Sequence, residues 1–378
     1  MTSKPVLAID GLRGVAALGI VIYHMRPALA YAPELRFAAH GFEKYFLLLD
    51  LFFVVSGFAI ASGYGETFRH RITGTDYRRF LWGRFARLYP LYFAILLVLA
   101  AQETFYLVAG QQGWLTPPWQ PWGRPIAEPD GFIASLFLVQ AWGFLGKLVW
   151  IIPAWYVSAL VAAYLVFPLI ARAAAGLPER SRGLVLVGLA GAAALALHIA
   201  YQAGAFPGDN DWSPVRAILE FTLGYGLAQL PAGPAWRRYL QLPLLILVFA
   251  GLHVPFRDEI TLVFLVAFFW SLLDDRGVIA APLKTRPAVW LGSVSYAVFL
   301  IHQPMLNWFD GLNNTPLAQQ LPILWEQYFT WNLALRVVLI VAAGWLAHRF
   351  IAVPAQRWLD PRKARPPSSG PAAGRSSR

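Results

Sequence analysis

Long apolar runs recur along nearly the whole chain, and many span about 17–22 residues, the length at which a helix crosses a ~30 Å hydrocarbon core. Segments near 11–30, 45–64, 88–109, 153–171, 183–203, 214–230, 240–255, 259–273, 288–308 and 331–351 read as transmembrane helices. The alternating ten-residue strands of a membrane barrel are absent. Composition agrees: 58% of residues are hydrophobic and 13% charged, with a mean hydropathy of +0.51, where a soluble domain carries about 25% charge. The fold class expected is an all-α integral membrane protein of about ten transmembrane helices, multi-pass in an inner or plasma membrane. Residues 132–151 are apolar but broken by Gly143, Gly146 and Lys147, which suggests one re-entrant or interfacial segment. The transmembrane domain is expected to cover residues 1–358, and residues 359–378, rich in Pro, Ser, Gly and Arg, to form a disordered basic cytoplasmic tail.

The net charge of +11 is not read as a nucleic-acid surface. With ten helices and a cytoplasmic N-terminus, 23 of the 31 Lys and Arg fall on the inner side and 6 on the outer, with Arg216 and Arg336 inside helices. That asymmetry is the positive-inside pattern, and it places the C-terminus in the cytoplasm as well. Counting 132–151 as a full crossing would destroy it. The absence of Cys excludes disulfides and thiolate chemistry.

Ionisable groups inside hydrocarbon are costly and mark function by default. Arg13 lies near the inner end of the first helix, and His24 is eleven residues on, about 16 Å along the axis. His302 has a similar depth in the ninth helix. Asp50 sits near the outer start of the second helix, and Glu220 about two turns into the sixth. Arg84 and Arg87, spaced i and i+3, share a face at the inner start of the third. The pattern is two-layered: a basic cluster at the cytoplasmic mouth and titratable groups in the outer half. His40, His70, His198, His253 and His348 fall near loops or helix ends and are expected to have no role. There is no Walker loop, dinucleotide fingerprint, HExxH or GxSxG elbow, and no metal is expected. On these residues alone, an enzyme and a proton-coupled transporter of an organic anion or sugar stand level.

A set of motifs in order separates them. Asp10-Gly11-Leu12-Arg13-Gly14 with Tyr23-His24, then Asp50-Leu51-Phe52-Phe53-Val54-Val55-Ser56-Gly57, and Arg84-Phe85-Ala86-Arg87 resemble the bacterial membrane O-acyltransferases of acyltransferase family three. So do Trp155-Tyr156-Val157-Ser158, Glu220-Phe221 with Gly224, and Ser295-Tyr296 through His302-Gln303-Pro304, over roughly residues 7–358. The resemblance implies transfer of an acyl group, by default acetyl from cytoplasmic acetyl-CoA, to a hydroxyl of an envelope or secreted carbohydrate or of a glycosylated small molecule. It implies His24 as the catalytic histidine and Arg13, Arg84 and Arg87 as functional arginines, the last two near the donor. From depth, Asp50 is the candidate to orient His24, and Ser158 or His302 the candidate oxyanion donor. Two positions depart from the family pattern: no carboxylate follows Ser158, where Ala159-Leu160-Val161 stands, and Ala352 replaces a Glu before Pro354.

Overall fold

The computed structural model describes residues 6–31, 41–112, 129–145, 150–206, 212–231, 233–254, 257–313 and 329–360. No strand occurs among them. The helices are α1 (Leu7–Tyr31), α2 (Leu48–His70), α3 (Gly74–Gln111), α4 (Pro129–Leu136), α5 (Trp155–Ala174), α6 (Glu179–Gln202), α7 (Ser213–Ala228), α8 (Gln241–His253) and α9 (Asp258–Ser271). They continue as α10 (Ala280–Leu283), α11 (Arg286–Asn313), α12 (Phe329–Ala347) and α13 (Val353–Leu359), with a π-helical turn at His348–Ala352 joining the last two. The expected tail beyond residue 360 lies outside the described residues.

Seven of the described helical segments are long and apolar enough to cross a membrane. The chain is therefore a multi-pass membrane protein. The other three expected crossings, α7, α8 and α9, have 16, 13 and 14 residues. Thirteen residues give only about 20 Å of helix. Proline sets these limits: Pro231 and Pro234 follow α7, and a 3₁₀ stretch, Ala235–Leu240, takes up the chain before α8. A second difference concerns the stretch before residue 88, where the third helix is expected to begin. Most of it is helical, because Thr73 and Asp76 form a reciprocal cap (Asp76 N–H to Thr73 Oγ1 3.1 Å, Thr73 Oγ1–H to Asp76 Oδ2 2.6 Å) that starts α3 at Gly74. Arg84 and Arg87 thus stand on a rigid helix.

Long-range contacts sort to two ends of the bundle. One end joins Ala8 to Asp275, Arg69 to Gln229 and the Trp82 indole to the Leu359 carbonyl. The other joins Lys44 to Asp258, Tyr45 to His253 and Arg336 to Asp310. Helix direction therefore alternates, and α1 begins at the end where α13 finishes.

Two helix pairs pack backbone to backbone through glycine. A Cβ on Gly292 of α11 would run into the Asp10 carbonyl of α1, and one on Gly14 would lie 2.7 Å from the Gly292 nitrogen. Likewise a Cβ on Gly57 of α2 would meet the Phe221 carbonyl of α7, and one on Gly224 the Val54 carbonyl. Small residues at such crossings allow the close approach that membrane helices use in place of a hydrophobic driving force. Gly292→Val is expected to cost at least the ~1–3 kcal/mol of core overpacking. Gly63→Val faces open space and is expected to be neutral. Thermal unfolding of the two variants side by side checks this.

The described residues of 132–151 form no crossing helix. After the eight-residue α4 the chain turns irregularly, with positive φ at Leu138, Gly143 and Trp150. Tyr89 and Tyr92 of α3 donate to the carbonyls of Leu136 and Ser135 at 2.9 and 2.7 Å. Leu138, Gln140 and Ala141 are buried. Irregular backbone at membrane depth needs such a protein coat.

Candidate active site

The close α1–α11 crossing sets the register of everything above it. The helices run parallel from the Gly14–Gly292 contact, and ten residues on, each presents a histidine: His24 and His302. His302 Nε2 and His24 Nδ1 are 3.2 Å apart, with ring centroids at 4.8 Å. His302 is fully buried and its Nδ1 lies 2.5 Å from the Phe299 carbonyl. A carbonyl only accepts, so Nδ1 carries the proton and Nε2 offers a lone pair. His24 Nδ1 then donates, to His302 Nε2 and to the Ile20 carbonyl at 3.0 Å. That leaves the His24 Nε2 lone pair free, on a side chain only partly buried. The arrangement is a base held by an acceptor, with neutral His302 in the place a carboxylate takes in a hydrolase triad.

Phe299, whose ring lies 5.8 Å from that of His302, also lines a cavity of about 810 Å³, open mouth included, between α1, α2, α3, α5 and α11. Arg13, Arg84 and Arg87 line it toward the end where α1 and α3 begin. Arg13 contacts Asp10 at 3.4 Å. The Arg84 Nε is buried without a hydrogen-bond partner, and the guanidinium lies over Tyr64 at 5.6 Å. Arg87 is exposed within the cavity. Asp10 is the only carboxylate paired with any of the three among the described residues. Three guanidiniums with one paired carboxylate give the cavity a positive wall, and Ser56, Tyr156, Tyr164, Ser295 and Tyr296 are its remaining polar side chains.

The structure separates the other expected residues from this site. Asp50 does not orient His24. Both its oxygens accept from Arg216, from Nε and, at 2.5 Å, from Nη2. His198 Nε2 lies 3.2 Å from Glu220 Oε1 and 3.6 Å from Asp50 Oδ1. All four side chains are buried, so His198, expected to have no role, and Arg216, left unassigned, are members of a tetrad tying α2, α6 and α7 together. Three of these residues form a group with metal-ligand geometry, but the Arg216 guanidinium already fills the cation position beside Asp50. The signal for this tetrad was present as opposite charges at similar depth on α2 and α7. Ser158 does not line the arginine cavity. Its Oγ accepts from the Ala141 N–H at 3.2 Å and its carbonyl accepts from the Trp142 indole at 3.1 Å, so it pins the irregular segment to α5. His302 likewise has its one N–H committed to Phe299 and serves as the acceptor for His24.

The sequence matches the family described as "Acyltransferase domain" over residues 6–349. It is 26% identical over 386 residues to "Acyltransferase MdmB" of Streptomyces mycarofaciens, covering 94% of this chain and 93% of that protein. It is 39% identical over 104 residues to "Protein 2 in picA locus" of Rhizobium radiobacter, covering 28% of this chain and 49% of that protein. No solved structure matches. The family match spans both histidines and all three arginines of the site, and by it the chain belongs to acyltransferase family three and is an acyltransferase, not a carrier.

Proposed function

We propose that the protein transfers an acyl group, acetyl by default, from cytoplasmic acyl-CoA to a hydroxyl of a carbohydrate or glycosylated small molecule reaching the opposite side of the membrane. It does so as a ten-crossing enzyme with both termini in the cytoplasm. The observation that carries this reading is the arginine-lined cavity whose wall includes Phe299, the ring packed 5.8 Å from His302 of the histidine pair.

The CoA phosphates meet Arg84 and Arg87, whose guanidiniums offer paired donors to phosphate oxygens. Arg13, half-neutralised by Asp10, adds positive potential. The pantetheine arm runs up the cavity, covering the roughly 16 Å of helix between the levels of Arg13 and His24. The thioester stops beside His24. His24 Nε2 takes the proton of the acceptor hydroxyl, and the oxygen attacks the thioester carbonyl. The tetrahedral intermediate collapses, the C–S bond breaks, and the departing sulfur takes the proton from His24. Protonated His24 keeps its Nδ1–H bond to His302, which holds the ring in one orientation through both transfers. Tyr156, packed 5.5 Å from Phe299 and with its hydroxyl 3.5 Å from Ser56, is the neutral donor for the oxyanion.

Purified protein in nanodiscs, given acetyl-CoA and a panel of glycosides and lipid-linked sugars, tests this by acceptor-stimulated CoA release. Arg84→Ala and Arg87→Ala are each expected to raise KM for acyl-CoA by about 10–100-fold, the loss of a charge-assisted phosphate bond, with kcat changed much less. Unchanged KM in both variants would remove the phosphate role. Binding of no acyl-CoA by the native protein would overturn the donor assignment.

A further inference from the structure

A second cavity lies away from the site, on the lipid-facing seam of α6, α7 and α9. It takes up about 850 Å³, open mouth included, and its lining is apolar, with Val187, Gly191 and Ala194 from α6, Leu223 and Leu227 from α7, and Trp270 from α9. The small residues on α6 keep it open: a Cβ on Gly191 would meet only Leu223 Cδ1, at 3.8 Å. It runs about 12 Å along the helices, from Val187 to Leu195. Its end near Val187, Leu230 and Trp270 is the end where α6 begins and α7 and α9 finish, the basic end of the bundle.

A cation stands at that end with no carboxylate paired to it among the described residues. Arg237, in the 3₁₀ stretch before α8, is 7% exposed. Its guanidinium lies 5.7 Å from the centroid of the Trp270 ring that closes the groove. Its Nε is buried without a hydrogen-bond partner, and no carboxylate pairs with it among the described residues. A buried, unpaired guanidinium is too costly to be idle. Beside it Trp236 is exposed and packs edge-on against Trp270 at 6.1 Å, and Arg238 lies over exposed Tyr239. Trp, Tyr and Arg gathered in this way mark the headgroup level of a bilayer.

We propose that this groove binds an anionic glycerophospholipid of the cytoplasmic leaflet, with its phosphate on Arg237 and one acyl chain between α6, α7 and α9. The charge and the slot answer the two halves of one molecule: a phosphate supplies the missing counter-ion, and a hydrocarbon chain fills an apolar volume that water does not favour. Bound there, the lipid joins α6 and α7, which carry His198, Arg216 and Glu220, to α9.

Native mass spectrometry of the full-length protein in mild detergent, offered phosphatidylglycerol or phosphatidylcholine, tests the site. The native protein is expected to retain one phosphatidylglycerol at collision energies that strip other lipids, with at least a tenfold preference over phosphatidylcholine. Arg237→Gln is expected to lose that preference. Gly191→Leu, with Arg237 intact, is expected to lose the retained lipid because its side chain fills the slot. Equal retention by the native protein and Arg237→Gln overturns the proposal. So does displacement by millimolar inorganic phosphate, which would make the site a free-anion site. Elution volume and thermal unfolding of each variant report that it is folded.

Discussion

His24→Ala is expected to lower kcat by about 10²–10⁴-fold, the range lost with a general base, while KM for acyl-CoA stays within about threefold. That range is about 3–5 kcal/mol of transition-state stabilisation. The proposed mechanism holds the donor's phosphates at Arg84 and Arg87, on α3, whereas His24 belongs to α1, so removing the imidazole is expected to leave donor binding intact. His302→Ala is expected to fall between native and His24→Ala in kcat, since the base remains but its ring is free to turn. His302→Gln supplies an acceptor oxygen toward His24 Nδ1 and is expected to recover most of the difference. A purely structural His302 would show no such rescue. Steady-state kinetics in nanodiscs, with kcat and KM resolved for the donor, reads all three. A His24→Ala variant that is folded and keeps native kcat would remove the histidine from the chemistry.

Arg216→Met is expected to destabilise the protein by about 3–5 kcal/mol, the cost of breaking one side of a buried ion pair. Without the guanidinium, Asp50 and Glu220 become neighbouring buried carboxylates facing His198 alone. Asp50→Leu should cost a similar amount by leaving Arg216, whose guanidinium lies 5.7 and 4.7 Å from the ring centroids of Trp155 and Trp212, with only the longer contact to Glu220 at 3.5 Å. The double variant Asp50→Leu/Arg216→Met removes both charges and is expected to recover much of the loss, because a well-packed apolar pair can replace a buried salt bridge. A double-mutant cycle on unfolding in detergent measures the coupling. The surviving folded fraction should retain kcat within about tenfold. A loss of kcat comparable to His24→Ala in folded protein would return Asp50 to the catalytic machinery.

The sequence made some of this legible and hid the rest for physical reasons. Helix identity was legible because apolar length speaks for itself, whereas the early start of α3 rests on a polar cap, Thr73 with Asp76, that apolar length does not register. The depth of His24 and His302 was right to compare. Their pairing was written in a shared spacing, glycine then histidine ten residues later in both α1 and α11, which has meaning only once the glycines are known to touch. Asp50 was placed beside the wrong partner because depth along a helix says nothing of azimuth: its side chain turns to α7, where Arg216 lies. Ser158 resisted sequence reading altogether. Its partner is the backbone N–H of Ala141, and a backbone group carries no residue signature.

The parallel register of α1 and α11 has a consequence for how the enzyme comes into being. The two histidines are 278 positions apart. At about 5–20 residues per second of synthesis, the first waits roughly 15–55 s in the bilayer before the ribosome delivers the second. From Arg87 onward the nascent chain owns every arginine of the cavity, while His24 still has no His302 to hold its ring. The cavity wall also needs Ser295, Tyr296 and Phe299 of α11, so the cavity and the histidine pair are completed in one event, when the penultimate long helix has been inserted and its glycine has found its counterpart.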